Sequence, residues 1–402
     1  MNKQRKDLLT IFNYALDAVN GTTVVNKQFK KKNYPNNLHV IAIGKAADAM
    51  LQGVPLDNMK SALLISKHGH ISQQSINNPL IHCIESDHPL PKQASLHAGQ
   101  TLIEYLQKIP AQESCLFLIS GGTSALIEVL NDGWNLQKLQ ELTDYLLANA
   151  YSIDEINAVR RSISKIKGGG LWNYIGNRPV FCLMISDVPN DDPKIIGSGL
   201  LFASDNSKLP KLPLKYDKQL LKVSKSHEKL QSGYFVWEIL ASLADAKKAA
   251  QHKAELLDYK VKVVDDFLDG SVADAANICV QTIQKKSDTL FIWGGETTVI
   301  LPENAGKGGR NHHLALSAAI EMQGLENACL LAVGTDGSDG MTTATGAVVD
   351  NQTVVKGVSK GLDAVDYLKR ADSNSYFQKT DELIITGATG TNVMDLVFAI
   401  KY

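Results

Sequence analysis

The stretch GKGGRNHH, residues 306–313, sets Lys307 and Arg310 among three glycines, ahead of Asn311 and two histidines. Glycine loses more conformational freedom on folding than other residues, so this density needs a reason. A backbone that must approach an anion closely is one reason, and an arginine beside it can stabilise a transferring group. Gly308 and Gly309 are therefore candidate phosphate-binding positions, with Arg310 as the neighbouring cation.

Comparable residues recur after apolar runs. In IAIGKAADAM, Gly44 and Lys45 stand where a strand-like run turns helical; free N–H groups and a lysine there suit an anion. A tight turn with a surface lysine is the plain alternative. In LISGGTSALIEV (118–129), Ser120, Gly121, Gly122, Thr123 and Ser124 combine close backbone approach with hydroxyl donors. A small-residue capping turn explains them equally. The stretch matches neither the Walker pattern nor G-x-G-x-x-G. MISDVPNDDPKIIGSG (184–199) brings Asp187, Asp191 and Asp192 past another apolar run, where carboxylates can hold Mg²⁺ or orient a hydroxyl, or simply build a turn. FIWGGETTVIL contributes Glu296, and GTDGSDG contributes Asp336 and Asp339.

INAVRRSISKIKGGGL (156–171) reads as one amphipathic helix ending at Gly168–Gly170, with Arg160, Arg161, Lys165 and Lys167 mostly solvated and at most one of them facing a ligand. His312 and His313 are expected on a helix surface or at its cap, with ligand contact by one of them the lesser alternative, because adjacent helical residues diverge by about 100° and do not share one ion. Each loop alone has a bland explanation. Together they supply what phosphoryl transfer needs: anion-cradling backbone, cations that spread charge, and acids for a metal.

The elements that must position these residues alternate. LHVIAIG (38–44), ALLISK (62–67), CLFLIS (115–120) and VFCLMIS (180–186) read as buried strands, with helical patterns between them. That implies βαβ units and a mostly parallel sheet whose ligands bind at the strands' carboxyl ends. After Gly199 a polar, Pro-bearing stretch reads as a surface excursion. A second α/β set follows: a helix over about 235–254, strands VKVVDD, LFIWGG, CLLAVG, TGAVVD and LIITG, and a helix over 271–285.

The chain has 402 residues, 44% hydrophobic and 21% charged, with a net charge of −1. Two domains are expected at this length, 1–230 and 231–402. The balanced charge gives no reason to expect nucleic acid, and no apolar stretch reaches membrane-spanning length. Cys83, Cys115, Cys182, Cys279 and Cys329 are scattered and odd in number, which reads as reduced thiols in a cytoplasmic protein.

In order along the chain, IGKAADAM, KHGH, SDHPLP, SGGTSAL, INAVRRSISKIKGGGL, SDVPNDDP, GGETTV, GKGGRNHH, GTDGSDG and TGATGTNVMDL resemble the class II glycerate kinases, the glycerate 2-kinase or MOFRL-domain family. The resemblance implies ATP- and Mg²⁺-dependent phosphorylation of the 2-hydroxyl of D-glycerate. It implies an N-terminal Rossmann-like domain, a smaller C-terminal α/β domain and a cleft between them. It marks Lys45 and Arg310 as the catalytic pair, and leaves Asp187, Asp191, Glu296, Asn311 and Asp336 to position substrate or metal, with Asp187 and Asp191 as the metal candidates.

The chain departs from the family's usual pattern at Thr123, Leu200, Leu201, Leu243, His312, His313 and Asn374. These departures put the exact hydroxy acid in question. Two other readings stay open: a hydroxypyruvate reductase, a label some relatives carry although the dinucleotide fingerprint is missing here, and a silent ligand-binding relative. Sequence leaves the oligomeric state open, a homodimer included.

Overall fold

The structure is a computed structural model that describes residues 3–149, 151–203, 209–213 and 233–402. Most of the polar excursion expected after Gly199 lies outside the described residues.

Residues 24–240 form one compact unit. Its six-stranded sheet uses β1 (Leu38–Ile43), β2 (Met59–Lys67), β3 (Ile81–Ser86), β4 (Cys115–Ile119), β5 (Val180–Ile185) and β6 (Phe235–Ala241), in the order β3-β2-β1-β4-β5-β6. The pairs from β3 through β5 are parallel, with Val40 opposite both Ala62 and Leu116. β1 and β4 are buried at every position, as strands covered on both faces must be. Ile41, Ile43, Phe117 and Met184 share a core with Leu102 and Leu106 of the helix Gln93–Lys108.

Residues 1–23 and 241–402 form the second unit. Its sheet runs β11 (Leu383–Ile384), β10 (Gly346–Asp350), β9 (Ala328–Gly334), β12 (Asp395–Lys401), β8 (Leu290–Gly295) and β7 (Val261–Val263). Only β7 and β8 pair in parallel; the other pairs are antiparallel. The N-terminal helix Lys3–Val19 belongs here rather than with residues 24–230, because its apolar stripe of Leu8, Ile11, Phe12 and Leu16 is buried in this unit. Phe12 meets Phe398 edge-on at 6.5 Å, and Arg5 pairs with Asp350 and Glu382.

Two expected helices come out differently. Residues 235–241 are strand β6, and the helix begins only at Leu243, behind a Ser242–Asp245 capping box. The aromatic and β-branched FVWEIL run suits a pleated strand. The helix around Arg160 spans only Ile153–Ser162. Beyond it Ser164 bridges to Leu130 and Lys165 N–H donates to Val129 O at 2.7 Å. The chain leaves the helix to bury Lys167 against Glu128, both without exposed side-chain surface, so Lys167 is not the solvated charge that helical patterning suggests.

Candidate active site

Lys45 follows β1 and Ser120 follows β4. These adjacent strands flank the point where strand order reverses, since the chain continues outward through β2 and β3 on one side and β5 on the other. At such switch points the loops diverge and leave a crevice at the carboxyl ends. Lys45 N–H donates to Gly121 O at 2.9 Å, and Ala46 N–H to Ser120 Oγ at 3.1 Å. The fit is close: a Cβ on Gly44 would stand 2.2 Å from Ser120 Oγ. Gly122 has φ +85°, and a Cβ on it would meet Lys45 Cγ and the His88 ring at 3.2 Å each. Gly122 thus lies against both the Lys45 stem and His88, a residue that sequence reasoning missed. Its signal was a histidine in SDHPLP just past a strand end.

Thr123 Oγ1 donates between the carbonyls of Ile43 and Ser120, at 2.9 and 2.7 Å, and Ser124 Oγ meets Ser198 Oγ at 2.7 Å. The helical turn that opens here, Thr123–Leu126, is only four residues long. Helix polarity therefore adds little, and an anion would rely on backbone N–H groups and side chains. Arg160 reaches this loop, with Nη2 donating to Ser124 O at 3.1 Å. Asp187 and Asp191 follow β5 at the same sheet end, both half-buried, Asp191 with φ +53°. Among the described residues, no three His, Cys, Asp or Glu side chains converge as a metal cage.

The second cluster surrounds Arg310, the first residue of the helix Arg310–Glu321. Arg310 Nε and Nη2 fork onto the two carboxylate oxygens of Asp395, and Nη1 donates to Glu296. That leaves one N–H on each terminal nitrogen for a further acceptor. Asp395 begins β12, Glu296 follows β8, and the two strands are neighbours, so the sheet fixes both acids. Burial pushes the Asp395 carboxyl up to about 6, against the pull of Arg310. Burial alone would lower the Arg310 pKa, but Asp395 and then Glu296 hold it above its ordinary value. Asp395 was also missed by sequence reasoning; nothing in TGATGTNVMDL marks this acid as the partner of an arginine.

The glycines of GKGGRN face protein. A Cβ on Gly306 would stand 2.4 Å from Asp372 Cβ, and one on Gly309 2.3 Å from Asp339 Oδ1. Gly308 lies under Gly340, whose own Cβ would stand 2.3 Å from Gly308 O. A carboxylate of the chain itself, Asp339, thus lies against Gly309. Asp339 accepts the N–H of Asn311 at 3.1 Å and of His312 at 2.8 Å, capping the helix that presents Arg310. Asn311 is buried and its side-chain amide also faces Asp339. Asp336 accepts Ser338 N–H at 2.9 Å and Oγ–H at 3.1 Å, a turn-closing arrangement.

With this geometry in view, comparison with known proteins is decisive. Residues 7–219 match a family described as a domain of unknown function, DUF4147, and residues 289–395 match the MOFRL family. The D-glycerate 2-kinase of Thermotoga maritima is 30% identical over 98% of both chains. The chain belongs to the class II glycerate kinase family. The glycerate 2-kinase of Pyrococcus horikoshii is 32% identical over 94% of this chain and 89% of that one. The crystal structure of a Thermotoga maritima glycerate kinase covers 100% of both chains with a TM-score of 0.84 at 28% identity. Membership makes the protein an enzyme of the kinase class.

The departures from the family pattern sort by burial. Leu200 and Leu201 are core residues, and Leu201 O accepts the Trp172 indole N–H at 2.9 Å. Leu243 is buried against Gly294, and Thr123 satisfies its hydroxyl within the loop. His312 is fully buried, not on a helix surface: Nδ1 faces Asp339 and Nε2 meets Asn374 Nδ2 at 3.2 Å. Two departures thus touch each other. Burial lowers the pKa of the neighbouring His313, with Asp339 opposing.

Proposed function

We propose that the protein transfers a phosphoryl group from ATP to the 2-hydroxyl of D-glycerate, giving 2-phosphoglycerate. The observation that carries this reading is the juxtaposition of Lys45 with the tight Ser120–Ser124 loop at the sheet's switch point. The activities named for the relatives agree with it. The backbone of Gly121 and Gly122, with the Ser120 and Ser124 hydroxyls, cradles phosphate oxygens. Lys45 and Arg310 offset charge on the transferring group, and Asn311 and Asp336 keep the Arg310 surroundings in place. Asp187 and Asp191 are hard oxygen donors that fit Mg²⁺, an ion that commonly takes one or two carboxylates and leaves its other positions to phosphates and water. When bound it supplies charge neutralisation across the phosphates.

Release of ADP with a panel of short 2-hydroxy acids tests this. D-Glycerate should give the fastest Mg²⁺-dependent turnover. Binding of ATP without ADP release from any of them would end the kinase reading, and loss of nicotinamide absorbance with hydroxypyruvate would replace it with the reductase.

A further inference from the structure

Arg160 reaches loop 120–124 through its guanidinium. Arg5, Arg310 and Arg370 each pair with two carboxylates. Arg160 is half-buried, yet among the described residues its guanidinium makes one hydrogen bond, to Ser124 O. The nearest acid does not take it. Glu128 Oε2 is held by Lys167 Nζ, and Oε1 accepts Ser164 Oγ–H at 2.6 Å and Val129 N–H at 3.0 Å. Glu128, Lys167 and Arg160 interact electrostatically, so this cluster holds two cations against one carboxylate. Among the described residues no carboxylate hydrogen-bonds this half-buried guanidinium, so an arriving anion would gain a charge-assisted contact there. The Ser124 carbonyl fixes where it waits: on the loop whose Gly121 carbonyl accepts the Lys45 N–H.

We propose that Arg160 is a further substrate-contacting residue, gripping an anionic oxygen of the ligand held at loop 120–124. The chemistry is a planar, charge-assisted contact to a phosphate or a carboxylate. It deepens the kinase reading and rests on it. The anion comes from the nucleotide's phosphates or from the carboxylate of the hydroxy acid, and the two are separable by experiment.

Titration calorimetry with ATP, D-glycerate and inorganic tripolyphosphate, run on wild type, Arg160→Met and Arg160→Lys, reads the contact directly. Steady-state kinetics and a thermal melt accompany it. Arg160→Met should weaken one substrate roughly 10- to 100-fold, the loss expected for a charged hydrogen bond, and leave the other within about twofold. Loss on ATP and tripolyphosphate assigns the phosphates; loss on D-glycerate alone assigns the carboxylate. Arg160→Lys should recover charge but only part of the affinity, and it carries the test if Arg160→Met does not fold. Unchanged binding of all three ligands, with unchanged turnover, overturns the Arg160 contact while the kinase reading stands. Wild type that binds tripolyphosphate through Arg160 yet never phosphorylates glycerate sinks the kinase reading alone. Wild type that binds none of the three overturns both.

Discussion

Gly122 lies against the Lys45 stem and the His88 ring, whereas Arg310 is clasped by Asp395 and Glu296. The first cluster is built at the open end of a parallel sheet, where loops diverge and backbone N–H groups collect. The second is built on adjacent antiparallel strands whose ends aim two acids at one guanidinium. In the proposed reaction the first region cradles an anion; the second fixes a cation in advance. Preorganised charge needs no reorganisation when the phosphoryl group moves, which is where electrostatic catalysis gains most.

Removing the cation from the cradle should do the most damage. Lys45→Met is expected to lower turnover roughly 100- to 1000-fold, with the melting temperature little changed, because the lysine stem adds little to the core. Near-normal kcat would show that the cradle works without its lysine.

Arg310→Lys tests the clasp. Lysine restores charge but not the fork onto Asp395. Turnover should fall about 30- to 1000-fold, or roughly 2–4 kcal/mol. The melting temperature should fall as well, since Asp395 is buried and would lose its bidentate partner. A tolerated lysine in both measurements would reduce Arg310 to a surface charge.

Asp395→Asn sharpens the comparison through pH. The Asp395 carboxyl sits at about 6, so below that pH it takes a proton and its hold on Arg310 weakens. Activity should therefore drop as pH falls through about 6, and the variant should lose that acid limb while running roughly tenfold slower above it. Stability has the opposite sign. The folded chain holds this proton more tightly than the unfolded one, whose Asp titrates near ~3.9. The contribution is complete below about pH 4 and is lost as pH rises through about 6. The melting temperature of wild type should fall relative to that of the variant as pH rises across that window. An acid limb that survives in the variant belongs to another group.

The smallest effect is expected at His312 and Asn374. His312→Gln and Asn374→Asp should each destabilise, and the pair together should destabilise by less than the sum, with a coupling of about 0.5–3 kcal/mol. Strict additivity would mean that the 3.2 Å contact carries no energy.

The parallel sheet was legible because its strands are buried on both faces and read as unbroken apolar runs, as LHVIAI and CLFLI do. Lys45 and residues 120–124 were legible because they end those runs. Other features depend on long-range partners that local pattern does not encode. The N-terminal helix is amphipathic in any setting, and only Phe398, Asp350 and Glu382 place it with residues 241–402. Lys167 looked solvated because nothing nearby in sequence announces Glu128, 39 residues away. The glycines of GKGGRN do mark close approach, Gly306 to Asp372 and Gly309 to Asp339, but neither acid is near them in sequence. Asp395 was hidden because a strand acid gives no sign of the arginine 85 residues before it.

Phosphorus NMR of a reaction containing the wild-type enzyme, ATP, Mg²⁺ and D-glycerate bears most directly on the proposed activity, since it identifies which hydroxyl carries the new phosphate. Growth of the 2-phosphoglycerate resonance in step with ADP is the predicted result; a 3-phosphoglycerate resonance, or ATP that stays intact while glycerate is bound, would contradict it.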